Sequence, residues 1–159
     1  MKYPDDIDFF YVLENDGWST CYIYIGGEMF VMGPTHVFND PIAVLLNGLI
    51  SLLRGENSVE FLWHDEPGEY KWNVTRNFEQ KHIVNVSITE CAKIHCDSKP
   101  KIQTLEFEVK LKLFCLCVLR QMEKIRDLMT EKSYKEHREG DFPYSEFNEF
   151  LSAYENSNL

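Results

Sequence analysis

Short turn signals between segments of alternating aromatic and β-branched residues constrain the fold of this chain most. Residues 14–17 and the Gly26-Gly27 pair separate the first three such segments, and residues 65–69 separate two more. Asn, Asp and Gly tolerate the positive φ angles of tight turns, and Pro-Gly is a common turn pair. Because strands joined by so few residues must run antiparallel, the sequence predicts a mainly antiparallel sheet.

Local patterns also predict where the strands and helices lie. Alternation predicts strands near residues 8–13, 18–25, 28–32, 59–64, 70–76, 81–90 and 105–111. Helical spacing predicts helices near residues 41–54, 111–129 and 145–154, with a loop at 91–101 and a loop or frayed helix end at 132–141. Asn39 or Asp40 is suited to cap the first helix, Pro41 fits its first turn, and Gly55 follows its end.

The order of these elements predicts an α+β fold. We expect a two-layer, mostly antiparallel sheet of about six strands, with helices packed on one face. No domain boundary is visible in the sequence, so residues 1–159 are predicted to form a single domain with a polar tail from about residue 155.

The turn at residues 65–69 predicts a hairpin with a definite register. A loop of two or four residues places Asp65 opposite Tyr70, Trp63 opposite Trp72 and Phe61 opposite Val74. A three-residue bulged loop breaks this register, so the pairing is a prediction that the structure can test.

The same hairpin carries the candidate binding residues. Aromatic side chains anchor protein interfaces, and carboxylates recruit basic groups. The predicted partner-binding residues are Trp63, Asp65, Glu66, Glu69, Tyr70 and Trp72. An ordinary solvated turn also explains the acids, and it is the plainer interpretation.

Charge is distributed unevenly along the chain. Residues 1–70 contain twelve acids and two bases, whereas residues 71–159 contain fourteen of each, so the net charge of −10 belongs to the first part. Such a field attracts basic partners and repels nucleic acid and anionic membranes. Acidity that serves only solubility is the simpler alternative.

The sequence also predicts a cytoplasmic protein. The first residues are acidic where a secretory signal is basic, and the apolar run at residues 42–53 is too short to span a bilayer. The number of cysteines is odd, five, which favours reduced thiols over a disulfide framework.

Candidate sites for metals and catalysis are weak. Cys91, His95 and Cys96, with Cys115 and Cys117, do not have the spacing of a zinc site, and we predict neither a metal nor a cofactor. No motif of a hydrolase, nucleotide-binding loop or metalloprotease is present, so no catalytic residue is predicted. The alternatives are a small enzyme or ligand-binding protein that uses carboxylates of residues 65–69, His64 or a cysteine, and a homodimeric structural protein.

The segment from Trp63 to Trp72 resembles a hairpin of small uncharacterised bacterial proteins, in which the pattern is Asp-Glu-Pro-Gly-x-Tyr-x-Trp. As in those proteins, a leucine-rich helix ending in Arg-Gly precedes it at residues 45–55, and a Phe-Pro pair precedes a short helix at residues 142–154. Such proteins look like immunity proteins of toxin–immunity systems, which bind and block one cognate toxin. The resemblance implies a non-catalytic inhibitor and brings no catalytic residue with it.

Combined with the charge distribution, the resemblance predicts the chemistry of the partner. We expect a basic protein toxin, with nucleases among the candidates, to be blocked by steric occlusion and electrostatic complementarity. The predicted partner is neither a nucleic acid nor a membrane, and the oligomeric state is left open.

Overall fold

The structure, a computed structural model, describes residues 5–92, 101–138 and 142–159 and has an α+β fold with two antiparallel sheets. The first sheet consists, in order, of β1 (Ile7–Leu13), β2 (Ser19–Ile25) and β3 (Glu28–Met32). The second consists of β4 (Ser58–His64), β5 (Glu69–Arg76), β6 (Ile83–Cys91) and β7 (Lys101–Lys110). The helices in the described ranges are α1 (Pro41–Leu53), α2 (Leu111–Leu128), α3 (Lys132–Glu136) and α4 (Tyr144–Asn156).

The division into two sheets corrects one prediction. The α+β class is confirmed, but the single sheet of about six strands is wrong. After β3 the chain passes through Pro34, which has no N–H to continue a ladder. Thr35 then makes an isolated bridge with Trp18, and its N–H donates to the carbonyl of His64 over 2.7 Å. The sheets therefore meet through a short connecting segment rather than through paired strands.

Helix α1 begins where its sequence predicts. Asp40 is the N-cap, and its Oδ1 accepts hydrogen bonds from the N–H groups of Ile42 (2.9 Å) and Ala43 (3.3 Å). Gly48 faces β4 so closely that a Cβ there would lie 3.0 Å from the Phe61 ring. The glycine thus allows α1 to lie flat on the second sheet.

A single hydrophobic cluster joins both sheets to the helices. Phe9 and Tyr11 of β1 enter it beside Phe114 of α2, and Trp63 of β4 meets the Tyr11 ring edge-on at 6.1 Å. Helices α1 and α4 pack on each other, while α2 packs along β1. Because the helices cover the inner faces of the sheets, the outer faces of both sheets are left toward solvent.

The free edge of β1 is covered by side chains. The Tyr11 N–H donates to Gln121 (3.3 Å), while Lys124 donates to the Tyr11 carbonyl (2.9 Å) and Arg138 to the Leu13 carbonyl (2.8 Å). Side chains that occupy the backbone groups of an edge strand prevent pairing with another chain. This edge of the first sheet is therefore closed.

The cysteines correct a second expectation. Cys21, Cys115 and Cys117 are free thiols, but Cys91 is disulfide-bonded, so the prediction of uniformly reduced thiols is wrong. An odd number of cysteines excludes complete pairing, but it does not exclude a single bond.

Parts of three predictions fall outside the described residues. These are the chain start at residues 1–4, most of the 91–101 loop and the end of the 132–141 segment, of which residues 132–138 are described and include α3. Among the described helices, none is both long and apolar enough to cross a membrane.

Candidate functional site

The 65–69 hairpin has a different register from the predicted one. Trp63 lies opposite Tyr70, Phe61 opposite Trp72 and Val59 opposite Val74, because residues 65–68 form the loop. The predicted pairs are therefore wrong by two residues. An even shift keeps every side chain on its expected face, since strand side chains alternate with a period of two.

Most of the predicted partner-binding residues lie inside the molecule. Trp63 and Trp72 are 0% exposed, and Tyr70 and Glu69 are also buried. The Trp63 Nε1–H donates to the carbonyl of Pro41 at the start of α1 (3.0 Å), and the Tyr70 hydroxyl accepts from the N–H of Gly33 (3.1 Å). These aromatic residues are packed in the core and expose almost no surface.

The hairpin acids do not share one environment. Glu66 is exposed at the tip, Asp65 is half-buried and Glu69 is buried. Gly68 lies directly against the Cys91 carbonyl, so the tip packs on the end of β6. Of the predicted set, Glu66 and part of Asp65 remain available at the surface. His64 is half-buried, and its ring lies 5.1 Å from that of Phe38.

A chain of buried polar groups was not predicted and resembles a catalytic array at first sight. The Tyr11 hydroxyl lies 2.6 Å from Ser19 Oγ and 3.2 Å from His36 Nε2, while His36 Nδ1 is 3.7 Å from the carboxylate of Asp40. Ser19 and Tyr11 are almost fully buried.

The direction of these hydrogen bonds excludes a serine nucleophile. Ser19 Oγ donates to the Pro34 carbonyl (3.0 Å), so it accepts the proton of Tyr11, and Tyr11 in turn accepts from His36 Nε2–H. A nucleophilic serine instead donates its proton to histidine. Burial lowers the pKa of His36 to about 4, so the ring is neutral at pH 7. These hydrogen bonds join Ser19 and Tyr11 of the first sheet to Pro34 and His36, so they hold the segment after β3 against the first sheet.

The thiols and metal ligands also lack a reactive arrangement. Burial raises the pKa of Cys21, Cys115 and Cys117, which keeps these thiols protonated. Among the described residues, no group of three His, Cys, Asp or Glu side chains is placed to hold a metal ion. His95 and Cys96 lie outside those residues.

The outer face of the first sheet exposes several large apolar and aromatic side chains. We call it the aromatic face and define it by Phe10, Tyr22, Tyr24, Met29 and Val31. Met29 is 58% exposed, Val31 50% and Phe10 45%. The register places Phe10, Tyr22 and Val31 in one row across the three strands, with Tyr24 and Met29 paired in the next row. A contiguous apolar surface of this kind is a candidate interaction site.

Carboxylates border the aromatic face. Asp8 lies directly opposite Tyr24 in the register, and exposed Asp6 lies just before β1. At the other end, Glu14 accepts a hydrogen bond from Thr20. A groove of about 440 Å³ runs between the acids and the rings; it is lined by Asp6, Ile7, Asp8, Phe10, Tyr22, Tyr24 and Met29.

The second sheet provides an internal comparison. Its outer face is mostly polar, with Asn73 and Ser87 paired across strands and Lys71 in an ion pair with Glu60 at 3.0 Å. Leu62 and Ile102 are apolar exceptions. Both outer faces belong to the same α+β fold, so the fold alone does not explain why only the first is aromatic.

Comparisons with family models, curated proteins and solved structures found no match to this chain. The candidate site therefore rests on its own geometry. The signal that points to it is present in β2, where Tyr22 and Tyr24 alternate with Cys21, Ile23 and Ile25. A strand that is apolar or aromatic on both faces is typical of a strand covered on both sides.

Proposed function

We propose that this protein is a non-catalytic binding protein, an immunity-type inhibitor that neutralises a cognate basic protein toxin by direct contact. The aromatic face docks the toxin, and nucleases are the first class to consider because their active surfaces carry positive charge to hold nucleic acid. The observation that carries this proposal is an exposed aromatic surface bordered by carboxylates.

The composition of the aromatic face supports a protein partner. Interfaces are enriched in Tyr, Phe and Met at their centre and have a polar rim. Phe10, Tyr22 and Met29 supply the centre, and Asp6 and Asp8 supply the rim. Rigid aromatic side chains contribute large contact areas at low entropic cost, so they anchor interfaces well.

Charge supports a basic partner. Residues 1–70, which include the whole first sheet, hold twelve acids against two bases; six of the acids lie in or next to its strands: Asp5, Asp6, Asp8, Glu14, Asp16 and Glu28. Of those two bases, Arg54 pairs with Glu149 at 2.6 Å, away from the aromatic face. An acidic field accelerates encounter with a cationic partner and weakens as salt increases.

We propose the cytoplasm as the site of action, where a producing cell meets its own toxin. The Cys91 disulfide stands against this location, since disulfides are rare in the reducing cytosol. Its oxidation state in cells, read by thiol alkylation and mass spectrometry, decides between the compartments.

The test is growth rescue. The gene directly upstream of the gene for this chain, taken as the candidate toxin gene, is induced in a sensitive host, with and without co-expression of this protein. We expect the wild-type protein to restore growth and the double variant Met29→Lys/Val31→Lys to lose rescue. The two lysines add charge that repels a basic partner, and both positions are exposed enough to accept them.

Thr75→Lys/Thr104→Lys is the matched control, because it adds the same charge at exposed positions of the second sheet. This control is expected to rescue growth like the wild type. A wild-type protein that leaves the toxin active overturns the proposed function. If both double variants rescue growth equally, the aromatic face is not the docking surface.

A further inference from the structure

The groove at one end of the aromatic face combines two chemistries. Tyr24 lies at its centre, with Asp8 opposite on β1 and Met29 opposite on β3. Phe10 and Tyr22 form the next wall, with ring centroids 5.8 Å apart and an angle of 39° between the rings. The groove therefore has aromatic walls at one end and carboxylates at the other.

Carboxylates beside aromatic rings form a site for an organic cation. The faces of the rings attract positive charge, and the carboxylates accept its hydrogen bonds. Asp8 is held in place because its Oδ1 accepts from the N–H of Phe9 at 2.8 Å. Phe10 already shows this preference, since the ammonium of Lys124 lies 4.3 Å from its ring centroid.

We propose that this groove binds one arginine side chain of the protein partner. The guanidinium lies between Tyr24 and the carboxylates of Asp6 and Asp8, and its methylene stem lies along Met29. The groove of about 440 Å³ lies within the size range of small-molecule sites, roughly 300–1,000 Å³, which leaves room for one such group. That the arginine belongs to a toxin rests on the proposed function, whereas the cation site itself does not.

Arginine fits better than lysine for a geometric reason. Its guanidinium is flat and weakly hydrated, so it stacks on aromatic rings while its edge reaches two carboxylate groups. A lysine ammonium is compact and strongly hydrated, and it loses more hydration on entering an apolar groove. The site therefore discriminates by shape as well as by charge.

The test uses capped tripeptides rather than the partner. Gly-Arg-Gly is titrated into the labelled full-length protein while amide and side-chain NMR signals are followed. We expect shifts centred on Asp8, Tyr24 and Met29. The Gly-citrulline-Gly peptide has nearly the same shape without the charge, and Gly-Lys-Gly has the charge without the planar group; both are expected to bind more weakly.

Two variants locate the site. Asp6→Asn/Asp8→Asn is expected to weaken Gly-Arg-Gly binding by about three- to tenfold, as for partly exposed charge-assisted bonds. Glu106→Gln/Glu108→Gln removes the same charge from exposed positions of β7 and is expected to leave binding unchanged. Tyr24→Leu retains an apolar side chain without the ring and is expected to weaken binding.

The outcomes separate this inference from the proposed function. The arginine site is overturned if the NMR shifts lie outside the groove. It is also overturned if the citrulline peptide or the lysine peptide binds as well as the arginine peptide. Both results would count against the site even if the toxin binds. If the arginine peptide binds in the groove but the toxin is not neutralised, the arginine site is supported and the immunity role is overturned.

Discussion

At the scale of single residues, burial separates two aromatic groups that look alike in the sequence. Trp63 and Trp72 are fully buried, and Trp63 holds the start of α1 through its indole N–H. Phe10 and Tyr22 touch each other on the outer face of the first sheet. Replacing the first pair is expected to change stability through lost packing, whereas replacing the second pair is expected to change the proposed binding surface.

His36 is expected to make stability depend on pH. Its folded-state pKa is about 4, below the usual value of 6.5, because burial disfavours the charged ring. Between pH 4 and pH 6.5, His36 binds a proton in the unfolded chain but not in the folded protein. The stability contribution is therefore complete above pH 6.5 and is lost as pH falls toward 4, by about 3 kcal/mol for the full shift.

His36→Gln tests this dependence, because a glutamine amide can still donate to Tyr11 but does not titrate. We expect urea unfolding between pH 7 and pH 4.5 to show a smaller loss of stability than in the wild type. Asp40 has a pKa raised by burial, which acts in the opposite direction at lower pH. The exposed His82→Gln control should retain the wild-type profile; an unchanged profile in His36→Gln would contradict the assignment.

At the scale of elements, local signals explain which parts were predictable. Asp40, Pro41 and Gly55 mark the ends of α1 because capping and helix termination depend on neighbouring residues. The boundary between β7 and α2 was ambiguous in the sequence. The structure passes from strand to helix between Lys110 and Leu111, where alternating spacing and helical spacing overlap.

The cap of α1 gives a second stability prediction. Asp40→Ala removes the acceptor for the N–H groups of Ile42 and Ala43, and we expect a loss of about 0.5–2 kcal/mol. Asp40→Asn keeps an acceptor oxygen and should retain most of the stability. Denaturant unfolding measures both, with the loop variant Glu79→Ala as a control. If Asn proved no better than Ala, the cap would not be the source of the loss.

At the scale of the whole molecule, the arrangement of the sheets was not accessible from local patterns. Whether β3 and β4 pair into one sheet depends on the path of the segment around Pro34 and Thr35. Tertiary contacts determine that path, and in this structure the two strands do not pair. The positions of the strands and the α+β class follow from alternation and turn residues. The number of sheets that those strands form does not follow from these local signals.

The location of the candidate site was missed for a related reason. Alternation places Trp63 and Trp72 on one face of their hairpin and Tyr22 and Tyr24 on one face of β2. Which face becomes the core depends on where α1 and α2 pack, and that information is not local. The uneven charge singles out residues 1–70, and the first sheet lies within that part of the chain.

The central claim is that the aromatic face binds a basic protein, and affinity for the toxin at two salt concentrations tests it most directly. We predict that Met29→Lys/Val31→Lys weakens binding at least about 30-fold, as expected for hot-spot residues, while Thr75→Lys/Thr104→Lys stays within about twofold of the wild type. Wild-type affinity should also fall between about 0.05 M and about 0.5 M salt. Equal affinities for the two double variants, or wild-type binding that is insensitive to salt, would contradict the claim.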